Sequence, residues 1–235
     1  MKVTEDFVIA HPYELTGDDL LAIETASPEE KDKDDWEKDC LKDFKRRFRR
    51  DMLPKQNYRC AYCRLELHTN EVTPEIEHIV PKNLKPNFMY EPFNLCLSCK
   101  LCNTKKGHRK KTLVDESVEE LPHDAMAYKM IHPHLDKYSE NIEFVGDILY
   151  RGISDKGRYT IWLCELNRYE VAAARAMELI KQGLIDETRT ILMMTDENNQ
   201  KLLDDLDVFL EVIKNRIRAY KLENGVERRK MNVGT

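Results

Sequence analysis

The sequence predicts an α+β chain in which a small cysteine-stapled core at residues 57–111 is wrapped by mainly α-helical regions at 1–56 and 112–235. Three observations predict it. Two CxxC pairs bracket a short segment containing adjacent acidic and histidine residues. An apolar side chain or cysteine recurs every fourth position from Trp36 to Met52. Longer stretches with helical periodicity follow residue 168.

In the first region, Trp36, Cys40, Phe44, Phe48 and Met52 form one apolar stripe down a helix. Pro54 lies just past the stripe and is expected to end that helix. Core packing accounts for the stripe. Lys45, Arg46, Arg47, Arg49 and Arg50 lie off it. In the last region, two apolar strands within Ile142–Tyr150 flank Gly146 and Asp147, a hairpin signal. A helix is expected from about Arg168 to Gln182, closed by Gly183. Another is expected from about Asn198 to Leu222, with Leu202, Leu206, Phe209, Ile213, Ile217 and Tyr220 on one side.

The bulk properties narrow the function. The 235 residues are 41% hydrophobic and 34% charged, which suits a soluble protein with a core. No apolar run approaches the ~20 residues of a membrane span. The N-terminus lacks the apolar stretch of a secretion signal, so a cytoplasmic location is expected. The net charge of −5 argues against a uniformly basic coat. Locally the picture differs. Lys42–Arg50 holds six basic residues and one acid, and Lys100–Lys111 holds six and none. A basic run is usually a solvated face, but two beside one motif point to phosphate contact.

The seven cysteines are an odd, clustered set, unlike a disulfide framework. Cys40 and Cys164 stand alone and read as buried small hydrophobes. Cys60-Ala61-Tyr62-Cys63 and Cys99-Lys100-Leu101-Cys102 each present two sulfurs from one tight turn. Together they offer the four sulfur ligands that structural zinc favours. A redox CxxC would need a βαβ pattern, which is absent. Cys96 forms a competing CxxC with Cys99. A closed four-cysteine site has no open position, so it stabilises the fold and performs no chemistry.

Between the pairs lies Pro74-Glu75-Ile76-Glu77-His78-Ile79-Val80-Pro81. Phe93-Asn94-Leu95 follows, and Asn103 comes directly after Cys102, with Lys106-Gly107 beyond. This order resembles the HNH, or ββα-metal, endonucleases of the four-cysteine zinc subset. That resemblance implies two strands and a helix around one divalent ion. It implies His78 as the general base, a task suited to neutral imidazole. It implies Glu77 and Asn103 as ligands of Mg²⁺ or Mn²⁺, since hard oxygens suit those ions. Asn94 matches the middle Asn that braces the loop or orients the histidine. In this subset the last ligand follows the final zinc cysteine, which selects Cys60, Cys63, Cys99 and Cys102 and leaves Cys96 as a spare.

Two letters depart from the family pattern. Asn103 replaces the last His, an HNN variant, and Glu77 replaces the commoner Asp, which changes its reach by one methylene. Lys105, Lys106, Arg109 and Lys110, with Lys111, follow Asn103 and are candidate phosphate contacts. His11, His68, His108, His123, His132 and His134 have no motif and read as surface or packing residues. For His132 and His134 a metal role is the lesser alternative.

The stretch from Thr160 to Arg168, with Arg175 beyond, is similar to a block downstream of the core in HNH subunits of bacterial anti-phage Septu and retron-associated systems. That similarity implies an SMC/ABC-type ATPase partner. The sequence itself holds no GxxxxGK[ST] run. The expectation is therefore a metal-dependent endonuclease, acting on DNA in anti-phage defence. The alternatives are a zinc-stapled module that grips nucleic acid without cutting, or a stand-alone restriction-type endonuclease. An unperturbed His78 predicts activity that falls below about pH 6.5.

Overall fold

The computed structural model describes residues 6–67, 74–107, 111–145, 149–168 and, beyond these, 170–172, 174, 175 and 178. Residues Met1–Ala172 form one compact unit and Ala173–Thr235 another. The first unit takes in the N-terminal region, the cysteine-bearing core and the start of the C-terminal region. The described positions of the second, 174, 175 and 178, are helical. The helix expected at 198–222 lies outside the described residues.

The chain enters through helix α1 (Gly17–Ala26), started by a capping box between Thr16 and Asp19. Helix α2 (Lys42–Lys55) buries Phe44, Phe48 and Met52 completely. Tyr13 packs on both phenylalanines, and Trp36 meets Phe44 edge-on. Arg47 of α2 donates to the buried Asp19 of α1, tying the two helices.

The apolar stripe spans two elements, not one. Trp36 sits in a 3-10 turn, Lys33–Glu37, and the backbone is extended at Lys38 before α2 begins. Asp35 explains the break. Its carboxylate accepts from the Asp32 N–H and the Ser27 hydroxyl and pairs with Lys38, closing a separate turn. The four-residue spacing continues because both segments face one core. Cys40 falls at the junction and is exposed, against expectation. Pro54 lies inside α2, whose last residue is Lys55. The intrahelical bond it removes is to the carbonyl of Arg50, an exposed residue that water can reach.

The core is two strands and a helix, as expected. Strand β1 (Glu75–His78) pairs antiparallel with β2 (Leu95–Ser98), with Ile76 opposite Leu97 and His78 opposite Leu95. Helix α3 (Lys100–Lys106) follows directly, with Cys99 as its N-cap. The hairpin is also present, as β3 (Ile142–Val145) and β4 (Leu149–Gly152). Its loop, with Gly146 and Asp147, lies outside the described residues. Helix α4 (Asp155–Cys164) follows and buries Cys164.

Three side-chain amides each bond both backbone groups of one residue, two of them on these sheets and one on the bend after β1. Gln56, fully buried, accepts from the Leu97 N–H and donates to the Leu97 carbonyl. Asn167 does the same for Tyr150, at 2.8 Å in both directions. Asn94 does it for Val80. The Asn167 contact places the Leu166–Arg168 block. It fixes β4 while the Tyr150 hydroxyl donates to the carbonyl of Cys63, and Arg168 reaches the sulfur of Cys102 at 3.9 Å.

His123, His132 and His134 surround Phe93, with ring centroids 4.4–5.1 Å from it. His132 and His134 are buried in a turn, not on a strand, and serve packing. Burial depresses the basicity of both.

Candidate functional site

Cys60, Cys63, Cys99 and Cys102 converge, their sulfurs all within 4.8 Å of one another. The first pair sits in a turn between Arg59 and Glu66, which form an isolated bridge. Arg64 takes a left-handed conformation to turn the chain back, and the Ala61 N–H bonds the Leu97 carbonyl. The Cys99 N–H points at the sulfur of Cys60, and the Cys102 N–H at that of Cys99. The Cys63 and Cys99 sulfurs stand 3.8 Å apart. Tetrahedral zinc with ~2.3 Å bonds requires ~3.8 Å between its sulfurs, so the cluster fits that ion. Burial pushes the Cys63 thiol up, while hydrogen bonds from its neighbours overcome burial and draw Cys60 down. Four thiolates cannot coexist here without a cation. Cys96 is outside the cluster, buried in β2 opposite Glu77, with its sulfur 4.0 Å from the Tyr62 hydroxyl.

Beside this staple lies a cleft of about 460 Å³, lined by β1, the second half of α3 with Gly107, Pro81–Asn83, and Trp36 with Glu37. His78, Asn103, Glu75 and Glu77 all border it. His78 is almost completely buried, its ring 4.5 Å from that of Trp36, edge to face. Its Nε2 is 3.2 Å from the Met89 carbonyl oxygen. A carbonyl only accepts, so Nε2 carries the proton and Nδ1 is left as the basic nitrogen. Burial, then the charges of Lys82 and Lys106, push the His78 pKa down to about 3. This corrects the expectation of an ordinary imidazole.

Asn94 holds the loop behind His78. Its amide donates to Val80 and Phe88 carbonyls and accepts from the Val80 N–H. The chain leaving β1 is thereby clamped to the turn that supplies Met89.

Alternation along β1 puts Glu75 and Glu77 on one face and His78 on the other. Glu77 is buried, and its Oε1 lies 2.5 Å from Lys106 Nζ. Burial raises its pKa, opposed by the Lys106 charge. Lys106 also donates to the His78 carbonyl at 2.7 Å. Glu75 is half-buried, and its Oε2 lies 3.4 Å from the Asn103 amide nitrogen.

The basic runs are largely occupied. Lys106, a candidate phosphate contact in the sequence, is 1% exposed and satisfied by Glu77, so it faces the interior. Lys105 pairs with Glu165 on the surface. In α2, Lys45 donates to the Trp36 carbonyl and lies over its ring, and Arg49 donates to the Pro74 carbonyl. Arg109 and Lys110 lie outside the described residues.

Sequence reasoning missed Trp36, Met89 and Glu75 at this site. Period-two spacing from Glu77 was the one signal for Glu75. Trp36 and Met89 come from distant segments with no motif of their own.

Residues 60–109 match the family model described as HNH endonuclease. The chain is 30% identical over 148 residues, 63% of its length, to a Septu protein PtuB from Bacillus thuringiensis. The alignment covers 51% of that relative, so the chain spans about half the length of the curated relative it matches. Among the described residues, no helix is long and apolar enough to cross a membrane. With two antiparallel strands, a following helix, a four-cysteine staple and His78 at the end of the first strand, residues 60–109 form a domain of the HNH endonuclease family.

Proposed function

We propose that this chain is a metal-dependent endonuclease that hydrolyses DNA phosphodiester bonds, the nuclease effector of an anti-phage defence system. The observation that carries the reading is His78, fixed through Nε2 to Met89 and bordering the same cleft as Asn103. A binding module has no use for a histidine held with one basic nitrogen at the edge of a hard-oxygen site.

Nδ1 of His78 accepts the proton of the attacking water. Asn94 and Met89 hold the ring for that step, and Trp36 excludes bulk water from one side of it. The low basicity of His78 in the free protein rises when an anionic phosphate enters and favours the protonated ring. Asn103 and a carboxylate of β1 offer the oxygen donors that Mg²⁺ or Mn²⁺ takes. When bound, that ion neutralises charge developing on the phosphate and the leaving oxygen. The cysteine cluster holds zinc and fixes the start of α3, and hence Asn103. The similarity to Septu protein PtuB supports a role in defence. An SMC/ABC-type ATPase as partner, and a cytoplasmic location, belong to the same proposal.

The test is relaxation of supercoiled plasmid with Mg²⁺ or Mn²⁺, with and without the product of a neighbouring ATPase gene. Cleavage by the wild type and a loss of ~10²–10⁴ in rate for His78→Ala, with DNA binding retained, are expected. Binding without cleavage under every condition would establish the binding module instead.

A further inference from the structure

We infer that Glu75, not Glu77, is the carboxylate that joins Asn103 in holding the catalytic ion; the inference rests on the metal-dependent reading above. Both glutamates lie on the α3 face of β1, and only their surroundings separate them.

Glu77 is already neutralised. Its carboxylate meets the ammonium of Lys106 at 2.5 Å, and the Tyr62 hydroxyl adds a hydrogen bond. Lys106 is fixed in turn by the His78 carbonyl. A divalent ion on Glu77 would compete with a buried ammonium for one carboxylate. That ammonium, 1% exposed, would then be left without its counter-charge.

Glu75 has the opposite character. It is half-buried and borders the cleft. Among the described residues it makes no ion pair within 4.0 Å, and its one hydrogen-bond contact is Asn103 at 3.4 Å. An amide turned about its last bond presents oxygen where nitrogen stands. Glu75 and Asn103 then offer two hard oxygens 3.4 Å apart, within a few tenths of an ångström of the ~3 Å between neighbouring ligands of a small divalent ion. Its negative charge is only partly offset, by Arg49, whose guanidinium donates to the neighbouring Pro74 carbonyl and forms no ion pair with Glu75 within 4.0 Å. Glu77 and Lys106 instead brace the strand and the helix that carry this pair.

The test is Mn²⁺ binding to the zinc-loaded protein, read as loss of the free-ion EPR signal, together with thermal unfolding. Glu75→Gln should weaken Mn²⁺ affinity by about tenfold or more, since ligand charge sets affinity, with the unfolding midpoint nearly unchanged. Glu77→Gln should lower the midpoint and leave Mn²⁺ affinity within about threefold. If Glu77→Gln does not fold, Glu75→Gln decides the matter alone. Wild-type affinity in Glu75→Gln while Asn103→Ala loses the ion would overturn the assignment and leave the nuclease reading standing. A wild type that binds no Mn²⁺ would overturn both.

Discussion

Nε2 of His78 faces the carbonyl oxygen of Met89 at 3.2 Å, which commits the imidazole to one tautomer before any substrate arrives. In ¹⁵N-detected NMR of the free protein, the His78 ring is expected as the neutral Nε2–H form and should remain so from pH 8 to pH 5. Its pKa of about 3 lies below that window. A ring that titrates near 6.5 would show the cleft to be open to water.

The same depression makes stability pH-dependent. His78, His132 and His134 all bind protons less readily when folded than when unfolded. Below about pH 6.5 the unfolded chain therefore takes up protons that the folded chain refuses, and stability falls as pH falls. Each histidine contributes a slope approaching about 1.4 kcal/mol per pH unit once its unfolded form is charged. Urea unfolding at pH 7.5, 6.5 and 5.5 measures this, and flat stability across the series would contradict the burial of the three rings.

Removing the buried ammonium should be severe. Lys106→Met leaves Glu77 charged without a partner inside the core, a loss of about 3–5 kcal/mol. The double variant Lys106→Met, Glu77→Leu should recover most of it, because two apolar groups need no partner. If Lys106 instead faced solvent to meet phosphate, the single variant would barely change stability.

Trp36 packs edge-on against both His78 and Phe44. Trp36→Ala is expected to cost about 3–5 kcal/mol through the cavity it opens. Trp36→Phe should be milder in stability, yet still slow cleavage, since the ring beside His78 is reshaped. Chemical denaturation and plasmid relaxation separate the two effects.

Zinc removal is expected to unfold the core, because ligand set and fold form together. Metal analysis should return one zinc per chain. Cys60→Ser should lose it, whereas Cys96→Ser should keep it, as the Cys96 sulfur lies outside the cluster.

Much of the site was legible because its chemistry is local in sequence. The two CxxC turns, the acid–histidine pair and the asparagine after Cys102 each lie within a few residues of one another, and the structure gathers the four cysteines around one point. The hairpin was legible from two apolar strands flanking Gly146 and Asp147. What escaped depends on side chains meeting across long separations. Nothing near Trp36 announces that it covers His78, and nothing near Lys106 announces that it is buried. The stripe from Trp36 to Met52 concealed a break, because a four-residue spacing survives any interruption that keeps both pieces against one core. Cys40 was misplaced by that break.

The amides of Gln56 and Asn167 have a consequence for the rims of the two small sheets. A two-stranded ribbon has an outer rim on each side, and an unpaired rim recruits strands from other molecules. Here Gln56 occupies the outward N–H and C=O of Leu97, and Asn167 those of Tyr150. Each amide imitates one residue of a missing third strand and ends the ladder there. Because Gln56, Leu97 and Tyr150 are fully buried, each rim is closed inside the fold, and replacing either amide with an apolar residue of similar size would leave a backbone N–H and C=O short of a partner there.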